Sequence, residues 1–404
     1  MFYSFLSHGL LALPFWGYVV LYLVMTHVTI VGLSVYMHRS QAHRALDLHP
    51  IVSHFIRAYL WLTSGMSTRH WVAIHRKHHA ACDTADDPHS PQIYGLRKVL
   101  LQGAELYRKE AVNAETIARY GKGTPDDWLE RNVYARHTTL GVWIMLITDF
   151  VLMGAPGITF WALQMMWIPF WAAGFINGVG HFWGYLNFKV KDASRNVFPI
   201  GILIAGEELH NNHHTFPNSA KLSIKPWEFD VSWMYIRLLS MVGLARVNRV
   251  APTPHLITPP KPAIDAETLQ AVVQCRYHVL AGYLKQVLLP VFDAERRQSS
   301  DRKLYQQSKP ALLEEVDTVL DEQSQSRLAM LLKNNERLQQ VYQLRAKLLT
   351  LWEAQTTSSK ELLDALQDWC RQAEATGIEV LREFVTTLKR YTYSPAYSPR
   401  AAAA

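Results

Sequence analysis

The chain has 404 residues, of which 49% are hydrophobic and 19% charged, and a formal net charge of +7. Its bases are dispersed among long apolar runs with no recognised nucleic-acid motif, so composition argues against a nucleic-acid partner. Cys82, Cys275 and Cys370 lie far apart without any CxxC, which excludes a disulfide framework or zinc ribbon and suits a reducing cytoplasm.

From about Leu13 to Met37 the chain carries no Asp, Glu, Lys or Arg, and His27 stands among apolar neighbours. A bilayer needs roughly 20 such residues, so this stretch is expected to be a transmembrane helix, and it lacks the basic start and small-residue site of a cleavable signal. It runs into HRSQAH, which holds His38 and His43. Residues five apart on an α-helix point about 140° away from one another. The helix is therefore expected to end inside this box, with His38 on its last turn and His43 in the segment that turns back.

The 31 residues between His43 and His75 are too few for two crossings. The apolar stretch Ile51 to Met66 is expected to lie along the interface or to dip in and return. HRKHH then carries His75, His78 and His79, whose three- and four-residue spacings put them on one helix face. Two further apolar runs, Thr138 to Gly154 and Ile158 to Gly180, are joined by the GAPG turn and predict an antiparallel hairpin. The third box, HNNHH, carries His210, His213 and His214, and the Val231–Val242 stretch predicts an amphipathic interfacial helix.

Imidazole is a common neutral metal ligand, and eight histidines in three boxes exceed the needs of one ion. Two metals is the economical reading. The count of crossings puts all three boxes on one membrane face. Bases crowd the stretch from Arg39 to Arg136, whereas the GAPG turn has no charge, so that face is expected to be cytoplasmic and the protein a multi-pass protein of the cytoplasmic (inner) membrane.

Ala251 to Asp265 contains five prolines and reads as an extended linker. Beyond it, residues 266–392 show helical periodicity, with a stripe of Leu312, Leu313, Val316, Val319 and Leu320. Ser358 and Glu361 form a capping-box pattern, and Thr376-Gly377 a stop. Residues 1–250 are thus expected to form the membrane-embedded domain, 251–265 a linker, 266–392 a soluble α-helical domain of unknown role, and 393–404 a disordered tail. The fold class is all-α integral membrane, with about three transmembrane helices, interfacial helices and a cytoplasmic histidine-rich cap.

The order HxxxxH, HxxHH, HxxHH resembles the integral-membrane fatty acyl desaturases of the stearoyl (Δ9) type. WVAIHRKHH with TADDPHS resembles that family's second-box region, and GEELHNNHHTFP its third. Within the family the chain looks most like desaturases of pseudomonads. The resemblance implies a diiron centre with two Fe2+ ions and nine catalytic histidine ligands, His181 of NGVGHF being the ninth, with Asn177 holding a metal-bound water. It implies that His89 and Glu207 orient ligating rings and that Trp71 stands near the bend of the acyl chain.

The implied reaction inserts a cis double bond, at the Δ9 position, into an acyl chain carried on CoA or a phospholipid. O2 and electrons from a separate donor, such as a ferredoxin, rubredoxin or cytochrome b5-like protein with its reductase, are the co-reactants. The chain departs from the animal acyl-CoA enzymes at Ala73 and Ile74, where they carry an arginine and an aspartate that help hold coenzyme A, and at Gly65 and Met66, where they carry a polar pair. That departure makes a phospholipid-bound chain a serious contender. The rival enzymatic reading is a membrane fatty acid hydroxylase or alkane monooxygenase, and the non-enzymatic one is a metal carrier or scaffold. The four residues inside HRSQAH favour desaturation. The run Asp368 to Tyr391 resembles the terminal segment of certain bacterial transposases, and no catalytic acidic triad accompanies it.

Overall fold

The computed structural model describes residues 2–313, 321–353 and 358–393. Val316, Val319 and Leu320 of the expected stripe and most of the terminal tail lie outside them. The fold is predominantly helical, with short two-stranded pairings, and the chain divides into two compact units. One runs up to Leu186 and resumes over Asp192–Ala251. The other comprises Asn187–Lys191 and the chain from Pro252 onward.

In the first unit one helix covers Phe15–Ala42 and is, among the described residues, the helix long and apolar enough to cross a membrane. Its lower part is α-helical to Gly32, and Leu33–Ala42 is a π-helix. The expected break inside the first box is therefore a widening of the helix instead. The His43 N–H donates to the His38 carbonyl at 3.1 Å, an i to i+5 bond that makes five residues span about one turn. His38 and His43 thereby share a face that an α-helix would deny them. The chain turns back just after, with Arg44 at φ +52°.

Pro50–Ser64 is a helix capped at its start by the His49 side chain and ended by Gly65 at φ +64°. Thr68–Ala80 carries the second box on its last turns. Arg76 on that helix donates to the Gln41 carbonyl at 2.8 Å and the Ala42 carbonyl at 3.0 Å. It thus satisfies carbonyls at the end of the π-helix and holds the first two boxes together.

The expected hairpin is present with a tighter connection. Thr138–Met153 ends at Gly154, whose φ of +68° suits glycine, and Ala155–Ile168 begins immediately. Trp161 Nε1 donates to the Val142 carbonyl at 3.1 Å across the antiparallel pair. Phe2–His8 forms a helix that the sequence reading did not foresee. The backbone N–H groups of Leu10 and Leu11 that follow it donate to the Val151 and Leu152 carbonyls at 3.1 and 2.9 Å, completing the end of the hairpin's first helix. The second hairpin helix continues as a π-helix over Pro169–Ile176 and ends with Asn177–Val179.

The third box lies on the short helix His210–Thr215. Two strand pairings close this unit. Leu46–Leu48 runs antiparallel to Ala245–Val247, and Ile200–Gly201 parallel to Phe229–Asp230. The Val231–Met241 helix buries Val231 and Ile236 while Met234, Leu238 and Met241 stay exposed, an apolar outer stripe of the kind an interfacial helix presents.

The second unit packs helices around a core that includes Tyr283, Phe292, Leu312, Trp369 and Phe384. Ser358 and Glu361 form the expected capping box, and Gly377 at φ +72° follows the helix end at Thr376. The proline-rich segment is not a free tether. His255–Leu256 pairs antiparallel with Tyr391–Thr392, and Ile264 is buried in the core.

Candidate metal centre

All nine expected histidines meet in the first unit, in two groups. The ligand atoms of His38, His43, His75, His79 and His213 lie within 4.8 Å of one another, as do those of His78, Cys82, His181 and His214. His210 joins the second group, its Nε2 lying 2.9 Å from Nε2 of His181. Each HxxHH box therefore divides between the groups. On a helix advancing about 100° per residue, positions four apart differ by about 40°, while adjacent ones diverge by about 100°. His75 and His79 turn to the first group and His78 to the second; His210 and His214 turn to the second and His213 to the first. One box serves two sites because its middle histidine is offset.

The nitrogen contacts fit cations. His213 Nε2 stands 3.0 Å from His38 Nε2 and 2.9 Å from His79 Nε2, and His43 Nε2 stands 2.8 Å from His75 Nε2. A neutral imidazole has one N–H and one lone pair, so one nitrogen facing two others at this distance cannot satisfy them all by hydrogen bonding. Nε2 of His214 is buried with no hydrogen-bond partner at all. Burial first, and the neighbouring rings and bases second, push His43, His75, His79, His210, His213 and His214 well below the ordinary imidazole range. They are neutral at physiological pH, the form that binds a metal.

Four carboxylates hold the outer nitrogens. Nδ1 of His38 meets Glu207 at 2.9 Å, that of His78 meets Asp87 at 3.0 Å, that of His181 meets Asp83 at 3.2 Å, and that of His214 meets Asp192 at 3.1 Å. Each contact places the proton on Nδ1 and leaves the Nε2 lone pair facing inward. Although burial alone would raise Asp83, its bond to His181 and its other donors bring it to about 2. Asp87 is likewise held well below the carboxylate range, burial being outweighed by the bond to His78. His78 in turn is raised, the desolvation that would lower it being exceeded by Asp87.

Glu207, expected to orient a ligating ring, lies 2.9 Å from Nδ1 of His38. His89 is packed face to face with His78, ring centroids 4.5 Å apart, but the group that hydrogen-bonds His78 is Asp87, two residues earlier. Burial, then the charge of His78, lowers His89 to about 3. The sequence reading passed over Asp83, Asp87, Asp192 and Cys82. Asp87 sits within TADDPHS and Asp83 immediately before it, and their four-residue spacing just after the second box is the available signal. Asp192 had none.

The framework behind the rings is polar and buried. Arg39 donates to Asp230 through both terminal nitrogens, at 2.8 and 3.0 Å, and to the carbonyls of Ala220 and Ala205. This two-pronged pair ties the first box to the chain after the third. Gly206, at φ +92°, is required there, since a Cβ would stand 2.4 Å from Asp230 Oδ1. Asn212 of the third box donates to the Leu222 carbonyl at 2.9 Å and to Glu228 at 2.8 Å.

A cavity of about 660 Å³ opens beside the centre, with His75, His89 and Asn177 in its wall. Its lining is otherwise largely apolar and includes Met66, Ile74, Val142, Trp161 and Ile168. Trp71 also lines it and stacks on His75, centroids 4.9 Å apart and planes at 11°. The side-chain amide of Asn177 donates to the Ala173 carbonyl at 3.3 Å. Ala73, one of the positions where animal acyl-CoA enzymes are polar, is fully buried, whereas Gly65, Met66 and Ile74 line the cavity.

Residues 14–240 match the family described as Fatty acid desaturase. The chain belongs to that family. It is 30% identical over 219 residues to the Delta-9 acyl-lipid desaturase 1 of Arabidopsis thaliana, covering 53% of this chain and 69% of that protein. It is 29% identical over 227 residues to the sn-1 stearoyl-lipid 9-desaturase of Synechocystis, covering 55% and 68%. An acyl-CoA 5-desaturase of Anemone leveillei is 30% identical over 247 residues, covering 60% and 73%. The protein is thus a desaturase, an oxidoreductase of lipid metabolism from a membrane-associated family with a metal centre. Separately, residues 267–394 match the family described as Transposase.

Proposed function

We propose that the protein inserts a cis double bond, at the Δ9 position, into an acyl chain carried on a membrane lipid, using two irons held by the nine histidines. The observation that carries this reading is an apolar cavity whose wall includes His75 of the first group and Trp71 stacked upon it. The names of the Arabidopsis and Synechocystis relatives, both lipid desaturases, support the lipid carrier. So does the apolar character of Met66 and Ile74 in the cavity wall.

The first group would hold one metal through His38, His43, His75, His79 and His213, and the second another through His78, His181, His210 and His214, with Asn177 beside the cavity holding a water. Bound iron supplies the oxidising power, from O2 and two electrons, that an unactivated methylene requires and redox-inert zinc lacks. Asp83, Asp87, Asp192 and Glu207 keep the Nδ1 protons in place, so the rings serve as ligands and not as acids or bases. The cavity excludes water and fixes which methylene pair lies against His75, which is positional control by orientation. Overall, one O2, two electrons and two protons take two hydrogens from the chain and leave as two waters.

The electrons come from a separate donor protein. The protein resides in the cytoplasmic membrane, crossing it with Phe15–Ala42 and the hairpin helices and facing the cytoplasm with its histidines. Apolar side chains exposed along Phe15–Gly32 and Thr138–Met153, such as Trp16, Val20, Trp143 and Ile147, support that embedding. The test is lipid profiling of cells with and without the protein, fed labelled saturated fatty acid or prelabelled phospholipid. Δ9-unsaturated label appearing directly in the prelabelled phospholipid is the expected result. A hydroxylated chain without alkene would overturn desaturation, and alkene confined to the CoA pool would overturn the lipid carrier.

A further inference from the structure

The carboxylates that back the histidine rings are distributed unequally. Three of the four rings in the second group have one: His78 with Asp87, His181 with Asp83 and His214 with Asp192. Of the five rings in the first group only His38 has one, Glu207, and that carboxylate is shared with Arg39, whose Nη2 lies 3.6 Å away. The other four, His43, His75, His79 and His213, have no carboxylate partner among the described residues, and Nδ1 of His213 is buried without any hydrogen bond.

A carboxylate on Nδ1 fixes the tautomer and orientation of the ring and raises the basicity of its Nε2. Its negative charge also favours a nearby cation in a buried site. The second group has both advantages three times over. Beside the first group lie instead the guanidinium groups of Arg39 and Arg76, whose charges act on His43.

We infer that the two metal positions are unequal, the one at His78, His181, His210 and His214 binding its ion more tightly, filling first and emptying last, with Asp83, Asp87 and Asp192 as the positioning residues responsible. This rests on the reading that the two groups hold two metals. The extra ring of the first group does not reverse the order, because four of its five rings must be oriented by packing alone.

The test uses the full chain in detergent, loaded with ferrous ion without oxygen and then challenged with a graded ferrous chelator, metal per chain being measured by mass spectrometry. Two separate steps are expected in the wild type, at chelator concentrations at least about tenfold apart. Asp192→Asn and Asp87→Asn should each move the tighter step about 10–100-fold toward the weaker one, and Glu207→Gln should move the weaker step alone. Asp192→Glu should restore the tighter step, which a misfolded loop would not allow. Loss of both metals in one step by the wild type would overturn the inference while leaving two metals standing. So would a tighter step that answers to Glu207→Gln and not to Asp192→Asn. A chain that saturates with fewer than two metals would overturn the two-metal reading itself.

Discussion

The two units of this protein both bury apolar side chains, but only the first adds a large buried polar cluster to them. The second hides Tyr283, Phe292, Leu312, Trp369 and Phe384 around an apolar core, with the exclusion of water supplying most of its stability. The first hides the ring-bearing core of nine histidines together with Arg39, Asp87, Asn212, Glu208 and Asp230, most of them less than a tenth exposed. Burying polar groups is costly unless each is paired or faces an ion. Burial that runs against the hydrophobic rule therefore marks where the chemistry is, and burial that follows it marks scaffold.

The largest expected effect comes from the centre itself. His213→Ala removes a ring that approaches both His38 and His79, and should abolish alkene formation and lower metal content, measured by product chromatography and metal analysis. Retained turnover would break the contrast at once.

Arg39→Met tests the polar framework. It leaves the buried Asp230 without its cation, a loss of about 3–5 kcal/mol of stability by denaturant unfolding, accompanied by metal loss. Phe384→Ala in the second unit should cost a similar amount, about 3–5 kcal/mol, with metal per chain unchanged. If both variants lose metal equally, the two kinds of burial are not functionally distinct.

The cavity sharpens the comparison further. Val142→Phe fills part of its wall and should lower turnover of the longest accepted chain by roughly 10–200-fold relative to a shorter one, read from competing saturated chains. Smallest of all, Ser358→Ala should remove the capping box of the second unit at a cost of about 1 kcal/mol and leave desaturation untouched.

Much of this was legible in the chain. The box histidines, the apolar hairpin and the Ser358 cap are local patterns, written in spacing and residue type. What escaped has a common cause. The π-helix at Leu33–Ala42 leaves no mark on α-helical periodicity, so five-residue spacing predicted a break where the structure widens the turn. Asp83, Asp87 and Asp192 look like ordinary loop acids until the fold sets them against histidine rings, His181 and His214 being far from their acids in sequence. The proline-rich segment read as a tether because strand pairing between His255–Leu256 and Tyr391–Thr392 is a contact across more than a hundred residues.

Whether the two histidine groups hold two irons is read from the metal content of the full chain purified from iron-replete cells, determined by mass spectrometry against protein concentration. Two irons per chain are expected. A single tightly held zinc that survives His213→Ala would rule out the diiron centre.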